Sequence, residues 1–357
     1  MPDVALPDAV ANELTVFFAS RREQTSRVDK HFADAVRALE AFVLRGGKRV
    51  RPSFAWWGWR GAGGDPAGAL APQVLRACAA LELIQACALV HDDLMDDSAT
   101  RRGHPTVHTE FAARHRAAGW GGDAERFGLS AAVLLGDIAL AWADDMLRTA
   151  ALPPEALAEA LPFWEAMRTE MLGGQYLDVL TEVRRDETPE AALRIDRFKT
   201  AAYTVERPLH MGGALAGASP EVLDSYGRFG ADIGVAFQLR DDLLGVFGDP
   251  AVTGKPAGDD LSEGKRTLLV ALALQRADAT DPAAASELRS SLGHELDQRT
   301  IERLREMLVE LGAVQQVEDK ISELTESGLA ALTTDAIDPV ARHELHRMAL
   351  AATLRTS

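Results

Sequence analysis

The segment Leu89-Val90-His91-Asp92-Asp93-Leu94-Met95-Asp96-Asp97 sets four carboxylates at the end of an apolar stretch. Wound as a helix at about 100° per residue, Asp92, Asp96 and Asp93 fall near about 0°, 40° and 100°, one arc of its surface. Carboxylates packed so closely repel one another by about 1 kcal/mol per pair or more, depending on the local dielectric, so a positive charge is expected among them. A lone acidic doublet is commonly no more than a solvated helix end. Two features argue for more. The preceding turns, Leu81 to Val90, are almost wholly apolar, which predicts burial. A second cluster, Gln238-Leu239-Arg240-Asp241-Asp242, again follows an apolar stretch, Ile233 to Phe237. Two facing arcs of oxygen ligands would suit Mg2+, which keeps several waters and takes the rest of its shell from carboxylates and substrate phosphates.

Cations answer the carboxylates at a few positions. Gly46-Gly47-Lys48-Arg49-Val50-Arg51-Pro52 concentrates three of them between a helix end and a proline. The segment reads either as a glycine C-cap with solvated basic residues or as a grip on phosphate, whose oxygens fit the arginine fork. Arg101-Arg102-Gly103 follows the first cluster, Phe198-Lys199-Thr200 precedes the second, and Lys255 and Lys265 lie beyond it in a glycine-rich stretch. Gln238 stands about one turn before Asp241 and Asp242, on the same helix face.

Together these motifs resemble the trans-isoprenyl diphosphate synthases, the family of farnesyl, geranylgeranyl and polyprenyl diphosphate synthases, and most of all its geranylgeranyl members. The resemblance runs from about Gly46 to Lys265. The family's first aspartate-rich motif, D-D-x-x-D followed by R-R-G, stands as Asp92-Asp93-Leu94-Met95-Asp96 and then Arg101-Arg102-Gly103. It implies an all-α fold of the isoprenoid synthase type, a single large bundle around a central cavity. It also implies a prenyltransferase that condenses isopentenyl diphosphate with allylic diphosphates, giving a medium-chain all-trans product. Mg2+, three ions per site, would be held by Asp92, Asp93, Asp96, Asp241 and Asp242. Gly47, Lys48, Arg51 and Arg102 would bind isopentenyl diphosphate. Gln85, where many members carry a histidine, would join them or serve as a polar core residue. Arg101, Lys255 and Lys265 would serve the allylic diphosphate, although both lysines also read as ordinary surface residues. Lys199, Thr200 and Gln238 would line the reacting carbon. Gln175 and Asp178, in Gly173-Gly174-Gln175-Tyr176-Leu177-Asp178, could support Lys199 or cap and fill the core.

In this family the side chains at the fifth and fourth positions before the first aspartate face the growing tail. Here they are Cys87 and Ala88, small enough to let the tail pass to geranylgeranyl length, or simply to let helices pack closely. One position departs from the pattern. Gly245 stands where the second motif has its third aspartate, leaving one carboxylate fewer, and Asp249 is too far along the helix to substitute simply. A farnesyl or longer polyprenyl synthase is the nearest alternative. A terpene cyclase would share the fold and first cluster but need none of Lys48, Arg51 and Arg102. A catalytically silent partner subunit finds its only support in Gly245.

The elements that must position these residues are helices. Apolar residues make up 47% of the 357, only 6% are aromatic, and Ala and Leu dominate, which favours helix over sheet. Thr188-Pro189, Ser219-Pro220, Asp281-Pro282 and Asp338-Pro339 each pair a capping oxygen with a proline at the first helical position. Breaks fall at Gly61 to Gly68, Gly119 to Gly122, Leu152 to Pro154 and Gly248 to Gly264, and runs that would signal strands are absent. The expectation is one domain, 1–357, of about ten or more helices. A formal charge of −16 would repel nucleic acid and anionic lipid, and neither is expected as a partner. Cys78 and Cys87 are expected in different turns of one helix, too far apart to bridge. With no N-terminal signal pattern and no uninterrupted apolar run of membrane-spanning length, the expected setting is the cytoplasm, without stable membrane insertion. The family's habit implies a homodimer.

Overall fold

The structure, a computed structural model, describes residues 6–248 and 258–354. Each proline signal opens a helix. Thr188 accepts a hydrogen bond from the Ala191 amide, Ser219 from Val222, Asp281 from Ala284, and Asp338 from both Val340 and Ala341. A side-chain oxygen thus satisfies amides that the first turn leaves without carbonyl partners, while the proline gives up an amide that had none.

Two compact units make up the chain. The first comprises Met1–Arg168, Arg207–Tyr226 and Asp335–Arg342. It contains α1 (Leu6–Val28), α2 (Lys30–Leu44), α3 (Val50–Gly61), α4 (Ala71–Ala79), α5 (Leu81–Met95), a hairpin of β1 (Thr100–Arg101) and β2 (His104–Pro105), α6 (Val107–Ala118) and α7 (Ala124–Arg148). The start of α8 (Pro154–Arg184) and, later in the chain, α10 (Arg207–Leu215) complete its main elements. Leu14, Phe18, Leu39, Phe54, Trp59, Leu81 and Ile84 fill its core, none more than 2% exposed. Each such side chain contributes about 1.5–3 kcal/mol of burial free energy, and Leu81, Leu83, Ile84, Cys87 and Val90 bury the length of α5 that leads to its acidic end.

The second unit comprises Thr169–Glu206, Gly227–Thr334 and His343–Ser357. It takes the rest of α8, α9 (Pro189–Ile195), a π-helix (Asp196–Glu206) and most of α11 (Pro220–Phe247). Then follow α12 (Asp259–Ser262), α13 (Leu268–Thr280), α14 (Pro282–Ser291), α15 (Gln298–Glu310), α16 (Ala313–Ala331) and the end of α17 (Pro339–Thr353). Leu239, Leu243, Leu261, Leu269, Leu274, Leu304 and Ile321 form its core. Arg240, inside the second acidic motif, is a fastener rather than a ligand-binding group. Its Nη1 and Nη2 donate to Glu318 on α16 at 2.7 and 2.6 Å, and its Nε donates to the Thr353 carbonyl at 2.8 Å.

Three sequence expectations need correction. Strands are present among the described residues, as a two-residue pair too short for an alternating pattern to show. Cys78 and Cys87 lie on two helices, α4 and α5, interrupted at Ala80, and both thiols are free and buried. The stretches Ala71–Met95 and Ala124–Arg148, with mean hydropathy 1.5, are long and apolar enough to cross a bilayer. The first is mostly buried within its unit, as a core helix is.

Candidate active site

In the first unit Arg101-Arg102-Gly103 forms a hairpin turn. β1 pairs antiparallel with β2, Arg101 opposite His104, so Arg102 and Gly103 alone make the loop, with φ of 52° and 73°. Two positive φ values are what a two-residue turn needs to match strand twist. Glycine adopts one freely, and Arg102 is held in the left-handed region that most residues avoid. The turn sends its two arginines to different places. Arg101 Nε donates to Asp93 Oδ1 at 2.6 Å and its Nη2 to Asp92 Oδ2 at 3.2 Å. Arg102 Nη1 donates to the Gly46 carbonyl at 3.3 Å.

Gly46 and Gly47, at φ 113° and 136°, carry the chain into the basic loop. A Cβ on Gly47 would press on Arg102 Nη1 at 3.2 Å, so glycine here admits the second arginine. Arg49, itself left-handed at φ 47°, is buried and pairs with Glu82 of α5, while its Nη2 donates to the Val43 carbonyl at 2.9 Å. This pair pins the loop to α5. Lys48 stands exposed beside it, and Arg51 is buried in the first turn of α3. Burial lowers the pKa of Arg102, the neighbouring charge of Arg101 lowers it further, Glu82 opposes, and Arg51 and Arg49 add to the fall. Guanidinium groups crowded this way make a ready anion site. The sequence reading named Lys48, Arg51, Arg101 and Arg102. It counted Arg49 only among the cations of the loop and missed Glu82, whose pairing with Arg49 only the fold creates.

At the end of α5, Asp93 is 1% exposed and its Oδ2 accepts no hydrogen bond. Burial pushes this carboxyl up to about 6; Arg101 pulls against the rise, and Asp92 and Asp96 add to it. Asp92 and Asp96 are half-buried, Asp96 as the C-cap residue whose amide bonds the Asp92 carbonyl. Gln85 is half-buried two turns earlier. Cys87 is fully enclosed, its Sγ 3.6 Å from His91 Nδ1, and burial with the charge of Asp137 pushes its thiol up to about 12. His91 Nε2 lies 3.2 Å from the Val133 carbonyl of α7. Ala88 is half-buried.

The second unit gathers its residues differently. Lys199 and Thr200 sit in the π-helix, a widened turn that recurs at functional sites. Gly174 of α8 lets that backbone approach, since a Cβ there would lie 2.6 Å from Lys199 Cα. Asp178, one turn further along α8, accepts a hydrogen bond from Lys199 Nζ at 2.5 Å, the contact that one of the two roles left open for it would make. Thr200 Oγ1 donates to Gln238 Oε1 at 2.7 Å, and Gln238 Nε2 donates to Asp242 Oδ1 at 2.6 Å. Asp241 is exposed and Asp242 buried. Burial raises the Asp242 carboxyl far above its ordinary range, with Asp196, Asp260 and Asp241 adding to the rise and Gln238 opposing it. Asp196 is raised too, by burial and then by Asp178, against Lys199. Asp196 and Asp260 were not foreseen. Lys265 Nζ lies 2.6 Å from Glu263 Oε2 and 3.7 Å from Asp260 Oδ1. Lys255 and Asp249 lie outside the described residues.

Among the described residues no three His, Cys, Asp or Glu side chains close into a cage for an ion. The donors nevertheless fit a hard divalent cation that keeps water and borrows phosphate oxygens. They are all oxygens, and Asp93 Oδ2 and Asp242 Oδ2 are buried without a hydrogen-bond partner. Both carboxyls are raised first by burial and then by neighbouring carboxylates, a rise that a bound cation would oppose.

The family model for polyprenyl synthetase matches residues 34–308. The chain is 36% identical over 247 residues to a short chain isoprenyl diphosphate synthase of Methanothermobacter thermautotrophicus, covering 69% of each protein. It is 33% identical over 281 residues to the geranylfarnesyl diphosphate synthase of Aeropyrum pernix, covering 78% of this chain and 80% of that protein. It also resembles the crystal structure of a geranylgeranyl pyrophosphate synthase from Corynebacterium glutamicum complexed with isoprenyl diphosphate and magnesium. That likeness has 50% identity and a TM-score of 0.95 over 98% of each chain.

Proposed function

The chain belongs to the polyprenyl synthetase family of trans-prenyltransferases, and from that premise we propose that it is a magnesium-dependent geranylgeranyl diphosphate synthase. The observation that carries the reading is the joining, within one unit, of the Gly46 to Arg51 loop and the Arg101-Arg102-Gly103 turn to the Asp92 and Asp93 carboxylates. An anion grip and a cation grip are thereby built on one helix and one hairpin.

Gly47, Lys48, Arg51 and Arg102, with Gln85, hold isopentenyl diphosphate. Arg101, Lys265 and Lys255 serve the allylic diphosphate. Asp92, Asp93 and Asp96 would hold Mg2+, as would Asp241 and Asp242, with three ions in all. When bound, the metal acts as a Lewis acid on the departing diphosphate, whose charge must be stabilised for the allylic C–O bond to ionise. Thr200 and Gln238 present oriented dipoles to the developing allylic cation, and Asp178 holds Lys199 in position. The isopentenyl double bond attacks that cation, and the released diphosphate removes the final proton. A strongly basic side chain beside the cation would be alkylated, so none is called for. Cys87 and Ala88, both small, let the tail reach geranylgeranyl length.

The protein acts as a homodimer in the cytoplasm, without membrane insertion. Leu129, Val133 and Leu134 give α7 an exposed apolar face for a second copy, and two free cysteines fit a reducing compartment. The test is to supply Mg2+, isopentenyl diphosphate and each allylic starter, then size the products by mass spectrometry. Geranylgeranyl diphosphate is expected from wild type, and a shift toward farnesyl diphosphate from Cys87→Phe. A wild type that stops at farnesyl length, or a folded, active Cys87→Phe with unchanged product, contradicts the length assignment.

A further inference from the structure

We infer that Glu187 is a positioning residue for the allylic diphosphate, because it holds the short turn that carries Lys265. The inference rests on the prenyltransferase reading and on the role given there to Lys265. Glu187 stands between α8 and α9, and its carboxylate lies between two guanidinium groups from distant segments of the second unit. Arg289 of α14 donates from Nε to Oε2 at 2.8 Å. Arg266, the residue after Lys265, brings its Nε to 3.6 Å from Oε1.

Lys265 is bracketed by anchors that converge on one end of α14. Before it, Gly264 turns in the left-handed region at φ 76° and lies against Gly293, just past α14, where a Cβ on Gly264 would stand 2.9 Å from Gly293 Cα. The Gly293 amide donates to the Leu261 carbonyl at 3.1 Å, and the Lys265 amide closes the turn on the Asp260 carbonyl at 3.0 Å. After it, Arg266 Nη1 donates back to the Gly264 carbonyl at 2.8 Å, clasping the turn across Lys265. That clasp depends on where the Arg266 guanidinium is held. Its Nε is buried and donates no hydrogen bond, so the charge of Glu187 is what answers it. Glu187 is fixed in turn from the far side. Arg289 also grips Asp278 of α13 through Nη1 and Nη2 at 2.7 and 2.8 Å, a two-pronged pairing that leaves its Nε aimed at Glu187. Without the carboxylate, Arg266 and Arg289 would face each other as like charges, and Arg266 would withdraw and release Gly264. The Lys265 ammonium would then be offered to a diphosphate from a range of places rather than from one, which costs affinity.

The test is a double-mutant cycle on the full-length chain, read as the calorimetric affinity for a non-ionising allylic diphosphate analogue with Mg2+, isopentenyl diphosphate serving as the control ligand. Glu187→Ala should weaken the analogue about 10-fold and leave isopentenyl diphosphate within about 2-fold. Lys265→Ala should weaken the analogue at least as much. Since Glu187 acts through Lys265, adding Glu187→Ala to Lys265→Ala should cost less than about 2-fold more. Glu187→Gln keeps a partner for Arg289 but not the charge, and should fall between wild type and Glu187→Ala. Should Glu187→Ala not fold, the cycle is completed with Glu187→Gln, at about 3-fold. Glu187 variants with wild-type affinity for the analogue overturn the inference, and so does a Lys265→Ala variant that binds as wild type does. Equal losses for both ligands, or losses that add in the double variant, overturn it too, since a general loosening of the unit would give them. A wild type that fails to bind the analogue with Mg2+ counts against the prenyltransferase reading itself, whereas a wild type that binds it and is matched by Glu187→Ala counts against Glu187 alone.

Discussion

In the first unit Asp92 and Asp93 share the guanidinium of Arg101, and Arg102, Arg51 and Arg49 crowd behind it. The second unit gathers buried carboxylates instead: burial raises Asp242, with Asp196 and Asp260 adding to the rise, burial and Asp178 raise Asp196, and Lys199 is engaged by Asp178. On the proposed function, the first region receives an anion before any metal arrives and the second does so only with a cation present. Charge surplus of opposite sign, rather than the count of acidic residues in a motif, distinguishes what each region does.

The largest expected effect breaks both regions at their metal-facing oxygens. Asp92→Ala or Asp241→Ala should each lower kcat by about 100-fold or more at saturating Mg2+, the usual cost of removing a group that stabilises developing charge. Asp241 is exposed, so its variant should melt like wild type. Near-full turnover from either variant would mean that its carboxylate is a solvated helix end.

Next in size is the Arg49–Glu82 pair, which exists only in the first unit. Glu82→Gln leaves a buried guanidinium uncompensated and should destabilise the chain by about 3 kcal/mol, read by urea unfolding. A loss below about 1 kcal/mol, on the scale of a surface ion pair, would show that the pair does not anchor the basic loop.

A smaller effect separates the regions by pH. The folded Asp93 carboxyl titrates near about 6, above its ordinary value, so the folded state binds this proton more tightly than the unfolded state. In metal-free protein its contribution to stability is full below about pH 4, declines as pH rises through about 6, and is constant above, a span of at most about 3 kcal/mol. Subtracting the Asp93→Asn stability curve from the wild-type curve should reveal that decline, and Mg2+ with inorganic diphosphate should abolish it. A flat difference between pH 4 and 7 contradicts the assignment.

Much of the first region was legible because its parts are contiguous. Residues 46–52 and 92–103 carry their meaning in spacing alone, and capping oxygens next to prolines located helix starts. Arg49 and Glu82 were hidden because they are 33 residues apart and each reads singly as an ordinary charge. The hairpin escaped since two-residue strands show no alternation, although a glycine after Arg102 is the signal of its turn. In the second region the π-helix was invisible because no residue type or spacing in 196–206 distinguishes its i→i+5 bonds from those of an α-helix. Asp196 and Asp260 looked like surface acids. Gly245, read first as a missing ligand and the sole support for a silent subunit, was the available hint that another side chain, that of Asp260, fills that position. Even composition likewise gave no sign of two units whose segments alternate along the chain.

The contrast between the regions is tested most directly by calorimetric titration of wild type with isopentenyl diphosphate and, separately, with a non-ionising allylic diphosphate analogue, each with Mg2+ and with EDTA. The account predicts that EDTA leaves isopentenyl diphosphate binding within about 3-fold, since guanidinium groups and Lys48 suffice for it, and weakens the allylic analogue by about 100-fold or more, since unneutralised carboxylates repel it. Equal metal dependence for the two ligands would contradict it.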